Sequence, residues 1–212
     1  MTALKSMTKG LANFFKKPDP IDTAETLAAF LDQRASFLCQ KGVAEFCRVR
    51  SGAHVDQLFR DEEFMRLLNK AVWTSYPYAF AMVAEMTDGY LRESAGLRQR
   101  ELPAALTDMA EEIFARYDVP TGHEADFWAK ALDLVRGHLA GTQAGSPRPV
   151  RDMPDPMARK IYEALPLHQD VIKNDYDYIF NFMRMNLLRA REDLENRADA
   201  GAVAADLLGP HA

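Results

Sequence analysis

The stretch Trp73–Leu91 is the most apolar and aromatic part of the chain, and Tyr78–Ala84 within it carries no charge. Ala79, Val83, Met86 and Tyr90 recur at spacings of four, three and four, and Phe80 and Leu91 widen that stripe. This is the period of a helix, not the alternation of a strand. A helix with no polar face over Tyr78–Ala84 has to be covered all round, so other helices must pack about it. Pro77 predicts the start of this helix, with Ser75 as its N-cap, because proline suits a first turn and serine can hold a free N–H there.

Amphipathic segments with the same period flank the centre. Asp22 and Glu25 form a capping-box-like pair ahead of Leu27, Phe30, Leu31, Ala35 and Leu38, and the pattern runs on past Gly42 to Arg50. A short turn follows near Val55–Phe59. Asp61, Glu62 and Glu63 suit the first turn of the next helix, which leads through Phe64, Leu67, Leu68 and Val72 into the central stretch. Gly96 reads as its stop. Pro103 opens a helix with Leu106, Met109, Ile113 and Phe114 inward. Thr121 and Glu124 predict a capping box for the helix holding Phe127, Ala131, Leu134 and Val135. Six glycines and prolines between Gly141 and Pro156 leave no room for regular structure. Asp155-Pro156 opens a short helix through Tyr162. A long helix from about Leu167 to Ala198 carries Ile172, Tyr176, Ile179 and Met183 inward.

The expected fold is all-α, a bundle of about seven to eight helices with a separate amphipathic N-terminal arm. The organisation reads as an arm over 1–17, a main bundle over 18–140, an irregular linker over 141–156, C-terminal helices over 157–200 and a frayed tail over 201–212. In the arm, Leu4, Met7, Leu11, Phe14 and Phe15 fall within about 100° of one another on a helix. Lys5, Lys9 and Lys16 lie on another side. The pattern fits docking on an anionic membrane surface, docking on a partner, or packing on the protein's own body or on a second copy; a cleaved transit peptide looks similar, although those prefer Arg to Lys.

Composition narrows the function. With 212 residues, 48% of them hydrophobic, the chain can bury a core without metal or disulfide staples. Cys39 and Cys47 fall eight residues apart on one predicted helix, about 12 Å, too far to bridge. Free thiols fit a reducing, bacterial-type cytoplasm, with the arm allowing a peripheral place on the inner membrane. The net charge is −5, and the arm holds four lysines and no acid; −5 less +4 leaves −9 on the rest. An acidic body argues against nucleic-acid binding, which needs a basic footprint.

No phosphate-cradling glycine loop, nucleophile elbow, H-E-x-x-H, paired E-x-x-H or zinc-spaced Cys/His cluster occurs. No catalytic residue, metal or cofactor is therefore expected. His123-Glu124 with Asp126 has ligand-type residues, but Glu124 is accounted for by capping and Asp126 by the helix dipole. His168 and Asp175 are seven apart and share a face of the predicted last helix. Trp73, Tyr76 and Tyr78 can wall a ligand or partner pocket, since tyrosine and tryptophan carry polar tips on apolar bodies. Arg189 on the last helix, paired with Glu85 on the central one, would greet an anion there or fix helix register. The expected function is a non-catalytic interaction protein: an adaptor, assembly factor or scaffold that binds a protein partner or itself. The alternative is a helical ligand binder or enzyme with a pocket near Trp73, Tyr76, Tyr78 and Arg189. A cavity of at least about 300 Å³ there, holding converging polar groups, would favour the ligand binder or enzyme, and a solid core would favour the interaction protein.

Overall fold

Thr23, not Asp22, caps the first helix. In the computed structural model, which describes residues 19–210, the Thr23 side chain accepts from the Thr26 N–H, and the Thr26 hydroxyl accepts from the Thr23 N–H. The arm, with Leu4, Met7, Leu11, Phe14 and Phe15, lies outside the described residues. Helix α1 spans Ala24–Cys39 and buries Leu27, Phe30, Leu31, Ala35 and Leu38. Its rod continues past Gly42 as expected, first as a π-helical stretch, Gln40–Glu45, then as an α-helical piece, Phe46–Ser51. A side chain at Gly42 would run into the Met183 methyl, so glycine lets another helix approach closely. Gly52, at φ 51°, ends the rod.

Helix α2, Glu62–Ala95, is the axis of the molecule. Asp61 caps it by accepting the Phe64 N–H at 2.7 Å. Pro77 lies inside this helix and does not start one. Ser75 is no cap either: its hydroxyl donates to the Ala71 carbonyl at 2.7 Å. The proline removes one helical hydrogen bond, but Ala79 through Met86 are all buried, and packing of that kind overrides local preference. Gly96, at φ 55°, stops α2 where the sequence predicts.

Helices α3 (Leu102–Phe114), α4 (Phe127–Ala140), α5 (Met157–Glu163), α6 (Tyr176–Arg197) and α7 (Ala200–Leu208) complete the set. Among the described residues, α1 and these five helices all pack on α2. Among the described residues there is no strand, only an isolated parallel bridge between Ile21 and Ala198. The chain is all-α, as its periodicity requires. No helix among the described residues is long and apolar enough to cross a membrane.

Three local expectations are corrected. The Thr121/Glu124 box does not form, because Gly122 turns the chain at φ 86° and α4 begins only behind Asp126. The last long helix is broken: Gln169–Ile172 is a separate turn, and α6 starts after Asp175, which Arg50 holds. His168 and Asp175 therefore do not share a helix face. The tail is not frayed over 200–208. Asp199 caps α7 by accepting the Ala202 N–H at 3.0 Å, and Val203 and Ala204 are buried. Asp206 reaches back to accept the Ala24 N–H at 2.7 Å, which satisfies a free donor at the start of α1. Asp206→Ala should cost about 1 kcal/mol, as loss of an N-terminal cap does. Thermal unfolding checks this, with a fall of about 2–4 °C expected.

Candidate functional site

Two features of α2 stand out, one polar and one apolar. The polar one begins with Glu85, Asp88 and Arg92, which share a face of the helix and are all buried. Over them runs the irregular segment from Gly141 to Pro156, whose only regular pieces are the turns Thr142–Ala144 and Val150–Asp152. A segment without helix or sheet must satisfy its backbone elsewhere, and here the side chains of α2 do so. Arg92 donates to Asp88 at 2.6 Å, to the Gly145 carbonyl at 2.8 Å and to the Thr142 carbonyl at 2.5 Å. Gln143 donates to the other Asp88 oxygen at 2.9 Å. Arg148 grips both oxygens of Glu85 at 2.7 Å and also reaches the Asp155 and Met153 carbonyls. His138 Nε2 stands 2.8 Å from Glu85 Oε2. Gly89 has no side chain, and a Cβ there would stand 3.1 Å from Pro147. That explains a glycine in mid-helix: it admits the segment.

Between segment and helix is a cavity of about 330 Å³ lined by Glu85, Arg92, His138, Thr142, Ser146 and Arg148, among others. A glutamate beside a histidine has the form of a general acid–base pair, but Glu85 is poorly suited to take a proton. Burial alone would raise its carboxyl, yet the hydrogen bonds and charges of His138 and Arg148 outweigh burial and hold it below 4.5. A depressed carboxyl is a weak base. The guanidiniums are likewise engaged by protein acceptors, so the arrangement works as a clamp.

The clamp predicts acid sensitivity. Because the folded carboxyl lies below its unfolded value, Glu85 contributes its full stability above about pH 4.5 and loses it as pH falls through the folded value. Chemical unfolding should show wild type more stable than Glu85→Gln at neutral pH. Below about pH 4.5 the gap should narrow.

The apolar feature is a groove of about 320 Å³ between α1 and α2. Cys39, Met65, Leu68, Val72, Trp73 and Tyr76 line it, with Ser36, Gln40 and Asn69 as its polar members and no charged residue. Gln40 and Ala44 belong to the π-helical stretch, a form often found at functional sites. Met65 in the groove and Phe37 on α1 are each 40% exposed. The wall behind is tied by hydrogen bonds. Asp32 accepts the Tyr76 hydroxyl at 2.6 Å and the Tyr117 hydroxyl at 2.8 Å. Burial, then the bond to Asp32, push the Tyr76 phenol up; the same causes push Tyr117 up to about 12. Burial also pushes the Cys39 thiol up to about 12, so it is no nucleophile at neutral pH.

Of the residues singled out in the sequence, Trp73 and Tyr76 come together, their ring centroids 5.9 Å apart. Tyr78 does not join them: two residues on, it points about 200° round the helix and is half-buried outside the groove. Arg189 is exposed, and Glu85 pairs with Arg148 and His138, which corrects the expected Glu85–Arg189 pair. The inward stripe of α6 is Ile179, Met183, Leu187, Ala190 and Leu194, and Arg189 falls off it. Asn186 bonds its own helix, donating to the Phe182 carbonyl. His123 stands 3.0 Å from the Thr74 hydroxyl, while Asp126 pairs with Lys130. Among the described residues no group of His, Cys, Asp or Glu is placed to hold a metal. The sequence does not mark the clamp as a unit; its one signal is the i, i+3, i+7 spacing of Glu85, Asp88 and Arg92 within an apolar stretch, with an arginine set between Pro147 and Pro149. The chain matches no protein-family model, no curated protein and no solved structure.

Proposed function

We propose that this protein is a non-catalytic helical interaction protein, an adaptor, assembly factor or scaffold, that takes an apolar anchor of a protein partner into the groove between α1 and α2. The observation that carries the reading is the groove itself: uncharged, walled by Trp73 and Tyr76, and with Met65 exposed on its face. Its volume, about 320 Å³, reaches the size set for a ligand binder, at the low end of about 300–1,000 Å³. But no charged group lines the groove and Met65 stands exposed on its face, which favours a partner's apolar side chain over a small polar ligand. It also runs along a helix pair, the geometry that receives the apolar face of a partner helix. Aromatic and methionine side chains are the usual energetic centre of such contacts. The polar cluster does not compete as a reaction centre, since its charges are engaged in holding the 141–156 segment.

Affinity capture from the native cell tests the reading with two substitutions on exposed groove residues, Met65→Glu and Asn69→Lys. Neither should change the melting temperature by more than about 2 °C, as surface substitutions seldom do. A partner retained by the wild type and lost from both variants is the expected result. An unchanged set of captured proteins rules the groove out as the docking surface. A small apolar compound retained in place of a protein would favour a ligand binder, with Gln40 and Asn69 as its polar contacts.

A further inference from the structure

We propose that residues 2–15, the amphipathic segment preceding the described chain, dock on the body of their own molecule, in a groove between α7 and the turn that follows α2. The inference is independent of the α1–α2 groove. This second groove has a volume of about 490 Å³, with Leu97 and Arg98 on one side and Gly201, Ala204, Ala205 and Leu208 on the other. Leu97 is 103% exposed, and no other large apolar side chain of the described residues is so open. A leucine held wholly in water beside an apolar groove is a surface that lacks its cover.

Where the chain enters says what covers it. The Asp19 carbonyl accepts Arg197 Nε at 3.0 Å. The Ile21 N–H donates to the Arg197 carbonyl at 3.0 Å, and the Asp199 N–H donates to the Ile21 carbonyl at 2.9 Å. These bonds deliver the incoming chain to the N-terminal end of α7, which begins at Ala200. From Asp19 back to Phe15 an extended chain reaches about 13 Å. Fourteen residues in helical form would measure about 20 Å, against about 10 Å for Gly201–Leu208, so residues 2–15 are long enough to cover the groove that Leu97 borders. Shape agrees: Leu4, Met7, Leu11, Phe14 and Phe15 are large, whereas Gly201, Ala204 and Ala205 are small and let a helix approach closely. Charge agrees as well. Asp22, Asp199 and Asp206 lie close to the point of entry, and Lys16 and Lys17 are the residues that precede it, in a segment without acids. The nearby cations Arg98 and Arg197 are already paired, with Glu101 and Asp193.

Disulfide trapping in the full chain tests this. Leu11→Cys is combined with Ala205→Cys, or with Gln57→Cys as a control at the far end of α2. The native Cys39 and Cys47 are buried with thiols pushed up to about 12, so they stay silent. Mild oxidation should give an intramolecular bond for the Ala205 pair in at least tenfold excess over the Gln57 pair. Adding Leu97→Asp, which cannot disturb the core from so exposed a site, should cut the yield several-fold. Amide exchange over 200–208 should quicken at least tenfold when Phe14→Asp and Phe15→Asp are introduced together. A bond formed between two chains would give the groove to a second copy and overturn the proposal. So would protection of 200–208 that appears only with anionic vesicles, or equal trapping at both positions.

Discussion

Asp88→Ala should destabilise the protein by about 3–5 kcal/mol, the cost of stripping one member from a buried ion pair. Asp88 and Arg92 are 1% and 8% exposed, so neither has water to fall back on. Without the carboxylate, Arg92 keeps only the Thr142 and Gly145 carbonyls, and its charge is left in the interior uncompensated. Gln143 loses an acceptor at the same time. Asp88→Asn keeps one oxygen for Arg92 and should cost less. Glu85→Ala should cost less too, because its partner Arg148 is 40% exposed and can turn to solvent. Urea unfolding measures the order. Local exchange at Thr142–Gly145 should quicken in Asp88→Ala before the rest of the molecule opens, since those carbonyls hang on Arg92. A loss below about 1 kcal/mol would mean that Asp88 does not carry the charge of Arg92.

Why this pair escaped notice in the sequence is a question of rotation. The period of Ala79, Val83, Met86 and Tyr90 fixes a helix and its covered state, and hence the all-α class. It does not say which neighbouring element meets Glu85. Both Arg189 and Arg148 are cations distant in sequence, and only the packed arrangement, with Arg189 off the inner stripe of α6, chooses Arg148. Trp73 and Tyr76 could be grouped because residues three apart on a helix are neighbours. Tyr78, two further on, falls on the other side of the helix, which aromatic composition alone does not reveal. Pro77 misled because the local rule for proline takes no account of burial, and Thr121/Glu124 misled because Gly122 intervenes. The Ala-rich end reads as weak on its own. The contact that holds it, Asp206 to the Ala24 N–H, joins residues at opposite ends of the described chain, beyond the reach of any local pattern.

Phe114→Ala should cost about 3–5 kcal/mol and reach the α1–α2 groove as well. Phe114 is 2% exposed and joins three rings: Trp128 at 5.1 Å, Phe80 at 5.2 Å and Tyr76 at 5.9 Å between centroids. Removing it takes away apolar surface and leaves a void that a close-packed interior closes only in part. Phe114→Leu fills most of that space and should cost less than about 1.5 kcal/mol. For a chain of this length the alanine variant should melt about 6–20 °C lower. The two tryptophans, Trp73 and Trp128, both belong to this cluster, with centroids 5.9 Å apart. Their emission should shift to longer wavelength as water enters behind the stacked Trp128. Tyr76 should lose its lateral support while keeping its bond to Asp32, so a partner bound through the groove should be held more weakly by Phe114→Ala at a temperature where the variant is still folded. Equal melting of Phe114→Ala and Phe114→Leu would show that the ring is not a support of the wall, and an unchanged affinity would show that the groove does not depend on Tyr76 being held in place.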